Sequence, residues 1–375
     1  MPRPSDYFLS EDDNAAIFEQ QIRPAGFGRF GDGTVPADAR PKDAAPDRPV
    51  CIILAGQTGA GKSHAAPALA AALHKAYVGV SATDSQRYCH LVADTHKPYH
   101  PAYAGLVADA AAGKAPPGLA SAATGFDARR WLSRACAVAA GAPASQTGPG
   151  TPPLPTLIES ASRYPQDVVE MAGIFRRAGF HVCIVLLAVH AAQSRLGLLA
   201  RYLDALSAAE AQPAETETEA GTDKKKKLPV RLTPRPIHDE SYAGLAELAS
   251  VLDKESDGDS SLADEVLILR RGNQVAYANC YGEDGRNKWK TSPPRVSRAL
   301  AAERARQGVA AESALLFSDV ARLKERHPER AAELDAFAAE YEADMAVKEE
   351  GETQNLGELY ALDPDALVAH LRSEW

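Results

Sequence analysis

The sequence predicts an α/β protein built on a doubly wound parallel sheet, and three observations support it. An apolar run, Ile52-Ile53-Leu54-Ala55, breaks into the glycine-rich stretch Gly56-Gln57-Thr58-Gly59-Ala60-Gly61-Lys62-Ser63. Apolar residues then recur at helical spacing, at Ala66, Leu69, Ala70 and Leu73. Further along, residues 182–189 form a continuously apolar stretch of strand length, the kind buried on both faces of a parallel sheet. Around these landmarks, strand-like and helix-like segments alternate.

The pattern G-x-x-x-x-G-K-[ST] is complete from Gly56 to Ser63. Its glycines let the backbone curl so that successive N–H groups point inward at a phosphate chain. Lys62 is placed to reach β- and γ-phosphates, and the Ser63 hydroxyl to ligate Mg²⁺. A random chain of this length contains such a match with a probability of roughly 1%. Pro67 is awkward in the helix that follows, but it lies near the start, where a missing N–H costs least.

The 375 residues allow one large α/β unit or two smaller ones, and 45% apolar content supplies a substantial core. A net charge of −9 and a pI of about 5.6 disfavour non-specific binding to nucleic acid or an anionic membrane. The five cysteines lack paired spacing. Cys51, Cys89 and Cys183 fall in expected buried strands, where a reduced thiol behaves as a small hydrophobe. No Cys/His metal spacing occurs. The opening Met-Pro-Arg-Pro-Ser-Asp-Tyr lacks the apolar core of a signal peptide, and no apolar run reaches membrane length. The expectation is a soluble, cytoplasmic protein.

In chain order, Ser10-Glu11-Asp12-Asp13 opens a helix carrying Ile17, Phe18 and Ile22, with Pro24 expected to stop it. Residues 26–48 are rich in Gly, Pro, Asp and Ala and read as linker. After the glycine loop and its helix, 88–93 reads as a second strand ending at Asp94. Residues 102–140 look mostly helical, 141–155 is loop, and 156–158 is a third strand ending at Glu159. A helix from Asp167 carries Val168, Met171, Ala172 and Phe175 on one face and stops at Gly179. Beyond the apolar strand, Leu196, Leu199, Leu203 and Leu206 form the buried stripe of another helix, with Arg201 off that stripe. Residues 210–227 run from an acidic, Thr-rich stretch into four lysines. They read as a solvated, disordered insert rather than a nucleic-acid patch. A helix bearing Tyr242, Leu245, Leu248 and Leu252 follows. Residues 266–269 and 274–281 read as a β-hairpin across Arg271-Gly272-Asn273. From 293 onward the chain is Ala/Glu/Arg-rich helix, with Pro294 and Pro328 in first turns. The predicted organisation is an N-terminal helix and linker (1–48), a core with a lid and an insert at about 209–227 (49–255), and a hairpin plus helical C-terminal region (256–375).

Ligands of such sheets bind beyond the carboxyl ends of the strands. The glycine loop, Asp94 and Glu159 all fall there, and their convergence points to an enzyme. Asp84 is a competing carboxylate nearer the loop. Its surroundings, Ser81-Ala82-Thr83-Asp84-Ser85, contain no apolar run long enough for a buried strand, so it reads as a turn residue. Plainer alternatives stay open: Asp94 as a strand-end cap, Glu159 as a buried ion-pair partner, Arg201 and Arg231 as surface solubilisers, and His100 as a turn-shaping residue before Pro101.

Several segments, in order and spacing, resemble the zeta toxin family, kinases of UDP-N-acetylglucosamine with an adenylate-kinase-like P-loop fold. The resemblance covers roughly residues 50–245. It rests on Gly56 to Ser63, then Asp94-Thr95-His96-Lys97-Pro98-Tyr99-His100-Pro101-Ala102-Tyr103 and Ile158-Glu159-Ser160-Ala161-Ser162-Arg163. Arg201-Tyr202, Arg231-Leu232-Thr233-Pro234 and His238-Asp239 complete it. It implies ATP and Mg²⁺ as cofactors, a nucleotide-sugar substrate, and growth inhibition relieved by a small helical antitoxin partner. It further implies Asp94 as general base, Glu159 as a sugar contact with Arg163 and His100 nearby, and Arg201 and Arg231 as the pair holding the transferring phosphate. The chain departs from the family pattern in having Ser160-Ala161 where a Gly-Thr pair is usual, and in a longer lid between Arg201 and Arg231. Rivals are a phosphotransferase acting on another hydroxyl, of an antibiotic or a nucleotide, and a silent toxin-fold binding module. A GTPase is disfavoured because Asn287-Lys288-Trp289-Lys290 lacks the aspartate of a guanine-reading element.

Overall fold

The computed structural model describes residues 2–28, 48–78, 88–116, 118–142, 153–210, 232–256, 261–280, 295–306, 310–346, 356–365 and 367. Arg231, Asp84, most of the charged insert, most of the 26–48 linker and the Asn287-Lys288-Trp289-Lys290 element lie outside them.

The strands are β1 (Val50–Ala55), β2 (Cys89–Val92), β3 (Thr156–Ser160), β4 (His181–Leu187), β5 (Glu265–Arg270), β6 (Gln274–Cys280) and β7 (Tyr360–Ala361). They form one sheet in the order β2-β3-β1-β4-β5-β6-β7. The first five run parallel, and β6 and β7 are antiparallel to their neighbours. β1 and β4 are buried along their whole length, as their continuous apolar runs require. The chain leaves β1 for the edge, returns to β3 on one side of it and crosses to β4 on the other. The carboxyl ends of β1 and its neighbours therefore open onto the crevice where such sheets hold ligands.

The helices are α1 (Glu11–Ile17), α2 (Arg23–Phe27), α3 (Lys62–Val78), α4 (Tyr103–Ala111), α5 (Leu119–Ala139), α6 (Pro165–Arg177), α7 (Ala191–Glu210), α8 (Arg235–Ser256), α9 (Val296–Ala305), α10 (Ala310–Arg326) and α11 (Ala331–Ala346). Alternation along β1 sorts them between two layers. Cys51, Ile53 and Ala55 face Trp131 of α5, Phe175 of α6, Leu248 of α8 and Leu300 of α9 in one core. Val50, Ile52 and Leu54 face Leu69 and Leu73 of α3 in the other. Each such fully buried large side chain contributes about 1.5–3 kcal/mol. A third cluster joins Leu196, Leu199 and Leu203 of α7 to Leu316 and Leu323 of α10 and Leu334 and Tyr341 of α11. The five cysteines are free, and burial pushes the thiols of Cys51 and Cys183 well up, so they pack as hydrophobes.

Several expectations need correction. Pro24 does not end the N-terminal helix: a π turn (Phe18–Ile22) widens the helix just before it and hands the chain on to α2, so the helix passes through the proline. The second strand is shorter than 88–93, and Ala93 and Asp94 belong to a 3₁₀ turn (Ala93–Tyr99). β3 continues to Ser160, so Glu159 lies within the strand, level with Leu54 on one side and Val92 on the other. The hairpin strand β5 pairs with β4, which makes the hairpin part of the same sheet as the glycine loop.

Candidate active site

β1 delivers the chain into a loop whose shape only glycine permits at two points. Gly59 and Gly61 have φ of +81° and +93°. A Cβ on Gly59 would also fall 2.0 Å from the Ser194 carbonyl oxygen of α7. The Gly56 N–H donates to Ser160 O at 3.1 Å, and the Ala60 N–H to Gln57 O at 3.1 Å, which closes the turn. The buried Gln57 side chain donates from Nε2 to Val189 O at 2.7 Å and to Ser194 Oγ at 3.3 Å. Thr58 Oγ1 is buried with no hydrogen-bond partner, and Ser63 is exposed in the first turn of α3. A backbone cradle, an orphaned hydroxyl and a helix N-terminus together fit a phosphate chain. Lys62 and Ser63 are the residues that would hold its distal phosphates and a Mg²⁺ ion.

Lys62 lies within the electrostatic reach of three other predicted residues. Its Nζ donates to Gly56 O at 2.6 Å and Gln57 O at 3.2 Å, across the mouth of the loop. Burial pulls its pKa down to about 8, against the raising influence of the Glu159 and Asp94 carboxylates, while the Arg201 cation lowers it further. One ammonium group thus feels a residue from the 3₁₀ turn after β2, one from β3 and one from α7.

Asp94 is half-exposed, and its Oδ1 lies 2.5 Å from Nζ of Lys97, a buried lysine that also donates to Ser121 Oγ at 2.6 Å. Glu159 meets His90 of β2, with Oε1 and Nε2 3.0 Å apart. Arg163 donates to Glu240 at 2.5 Å, and the loop carrying it packs on α8, where a Cβ at Gly244 would fall 2.0 Å from Ser162 O. Ser162 itself adopts φ +55°, a strained conformation of the kind that gathers at functional sites. Arg201 is exposed on α7.

His100 is placed differently. It is 3% exposed; its Nδ1 accepts the Ala102 N–H at 3.1 Å, so its Nε2 carries the proton toward Tyr7 O at 3.2 Å and Asp127 Oδ2 at 3.5 Å. Both ring nitrogens are engaged in tying the 3₁₀ turn to α5 and the N-terminal segment, which is the turn-shaping alternative rather than a ligand contact.

Four further residues at the site were not singled out in the sequence. Lys97 and His90 act on Asp94 and Glu159 directly. Arg271, in the β5–β6 turn, donates to Gly59 O at 3.3 Å and Gln193 O at 2.7 Å. Arg304 of α9 donates to Gln57 Oε1 at 3.4 Å and Tyr242 O at 3.1 Å, with its guanidinium 3.7 Å above the Tyr242 ring. Both arginines approach the loop from more than 200 positions downstream. Only the i, i+3 spacing of Asp94 and Lys97 was open to discovery in the sequence.

Comparisons with known proteins bear on the family and the fold. The zeta toxin family model matches residues 37–281. A chain of the PezAT chromosomal toxin–antitoxin system of Streptococcus pneumoniae superposes with a TM-score of 0.50 at 15% identity, covering 85% of this chain and 98% of its own. A chain of the AvrRxo1-ORF1:-ORF2 complex with ATP is 14% identical with a TM-score of 0.41, covering 96% of this chain and 89% of its own. No curated protein matches. Among the described residues, no helix is long and apolar enough to cross a membrane. With more than half of its length matched by the family model, the chain belongs to the zeta toxin family.

Proposed function

We propose that the protein is an ATP-dependent kinase that phosphorylates a sugar hydroxyl of a nucleotide sugar, UDP-N-acetylglucosamine in the first instance. The observation that supports this is that the sheet brings Glu159 level with Leu54, just before the glycine loop, and with Val92, just before Asp94, so that these carboxylates and Arg201 all act on the charge of Lys62. Phosphoryl transfer asks for positioning and charge neutralisation more than covalent chemistry, and these groups supply both.

The acceptor hydroxyl oxygen forms a bond to the γ-phosphorus as the bond to the β-phosphate oxygen breaks, and ADP leaves. Asp94 takes the hydroxyl proton, a role that contributes roughly 10²–10⁴-fold. Lys97 holds that carboxylate in place. Lys62 neutralises the β/γ-phosphates, and Arg201 with Arg231 meets the charge that grows on the transferring group. Bound Mg²⁺ would neutralise the same phosphates with Ser63 as its protein ligand. Glu159, steadied by His90, lies on the strand beside the loop, where it would receive the sugar, with Arg163 on the turn that follows. A small antitoxin protein is the natural partner of such an activity, in line with the toxin–antitoxin setting of the PezAT relative.

The test is incubation of purified protein with Mg²⁺-ATP and a panel of UDP-sugars, free nucleotides and aminoglycosides, read by mass. A phosphate-sized mass gain on a UDP-sugar is expected. A gain on another acceptor would replace the substrate, and neither transfer nor ATP turnover with any acceptor would overturn the kinase reading.

A further inference from the structure

Gln57 is held at both ends of its amide by Arg304 of α9 and Ser194 of α7, and each of these touches α8. Its amide oxygen accepts from Arg304, which is held by the backbone and ring of Tyr242 on α8. Its amide nitrogen donates to Ser194 Oγ, which lies 2.7 Å from Nε2 of His238, also on α8. His238 is fully buried, and its Nδ1 lies 2.9 Å from Oδ1 of Asp239. The arrangement fixes the protons. A carboxylate only accepts, so Nδ1 carries the hydrogen and Nε2 is the acceptor for the Ser194 hydroxyl. Arg195 and Arg235, each 3.6 Å from Asp239, keep that carboxylate charged. Burial lowers the pKa of His238, which keeps the ring neutral and Nε2 able to accept.

We infer that Asp239, His238 and Ser194 form a positioning relay that sets the glycine loop from the first turn of α8. The relay has two outlets on the loop: the Ser194 hydroxyl on Gln57, and the Ser194 carbonyl against Gly59, where a Cβ would come within 2.0 Å. Without His238 the Ser194 hydroxyl turns back to the carbonyls of His190 and Ala191, 3.1 and 3.0 Å away, the ordinary behaviour of a helical serine. α8 begins just after Leu232-Thr233-Pro234, so the relay links the start of this helix to the phosphate cradle. The link to ATP rests on the kinase reading; the link to the loop does not.

The test uses His238→Leu, His238→Gln, Ser194→Ala and the Ser194→Ala/His238→Leu double variant, each confirmed folded by circular dichroism. Hydrogen–deuterium exchange of residues 56–63 in the protein alone should quicken about tenfold in His238→Leu and in Ser194→Ala, with no further gain in the double variant. His238→Gln, which restores an acceptor at the Nε2 position, should stay close to wild type. Calorimetric affinity for a non-hydrolysable ATP analogue should fall in the same pattern. A merely structural histidine would lower the melting temperature and leave the loop's exchange unchanged or additive, and either result overturns the relay. If the exchange pattern holds while the wild type fails to bind the analogue, the relay stands and the kinase reading falls.

Discussion

The ammonium of Lys97 bridges Asp94 and Ser121, 2.5 Å from the aspartate Oδ1 and 2.6 Å from the serine Oγ. A cation in contact with a carboxylate orients it and makes it a weaker base. Lys97→Met is therefore expected to lower turnover and to move the acid limb of the pH–rate profile upward by roughly one unit, because the carboxylate protonates more readily without that cation beside it. Asp94→Asn should lower single-turnover phosphoryl transfer at least ~10²-fold. Asp84→Asn should change it little, and a large defect there beside a nearly active Asp94→Asn would reassign the base.

Lys62 offers a calorimetric signature. Its pKa in the fold is about 8, below the ordinary 10.5, with burial the leading cause. A cation lowered in this way makes folding less favourable below the folded value, and that penalty is relieved as pH rises from about 8 toward the unfolded value. Replacing Lys62 with Met should thus stabilise the fold relative to wild type below pH 8, with the gain fading in more alkaline solution, while phosphoryl transfer is abolished. In the wild type, phosphate binding near pH 8 should draw in a proton, seen as a dependence of binding enthalpy on buffer ionisation enthalpy. Equal enthalpies across buffers would show that Lys62 is already fully charged.

If Arg201 and Arg231 hold the transferring phosphate as proposed, Arg201→Ala and Arg231→Ala should each reduce kcat far more than ATP affinity, by as much as ~10³-fold, since the charge they would meet is largest in the transition state. Steady-state kinetics separates the cases: a rise in KM alone would make them ground-state binders.

Gly59→Ala combines two faults, a left-handed φ and a 2.0 Å approach to Ser194 O. The conformation alone costs about 1–2 kcal/mol. The variant should melt lower than wild type and lose ATP-analogue binding, whereas an unchanged melting temperature would mean that α7 yields to the new methyl group.

What was legible in the sequence was local. β1, the glycine turn and Lys62 announce themselves within a dozen residues, because phosphate binding by backbone needs those glycines at that spacing. Asp94 and Glu159 were found from strand ends, but the ends themselves were misplaced, since Leu54 and Val92 hold Glu159 in register and no single strand contains that information. Pro24 misled because the π turn that absorbs it is set by the packing of Phe18 and Ile22. The surroundings of His100 depend on Asp127, which also anchors Asn14 and the Leu9 N–H, three segments that only the fold assembles. Arg271 and Arg304 were beyond reach for the same reason.

Those two arginines also set a timetable. Translation delivers every motif residue from Gly56 to Arg231 before it delivers the side chains that brace Gly59 and Gln57. A nascent chain still threaded through the ribosome at that stage has a phosphate cradle held on one side only, and the brace is complete once α9 has cleared the exit tunnel. Fragments that end before Arg304 carry the whole signature yet lack this contact with Gln57, so the loop gains its last brace late in each round of synthesis.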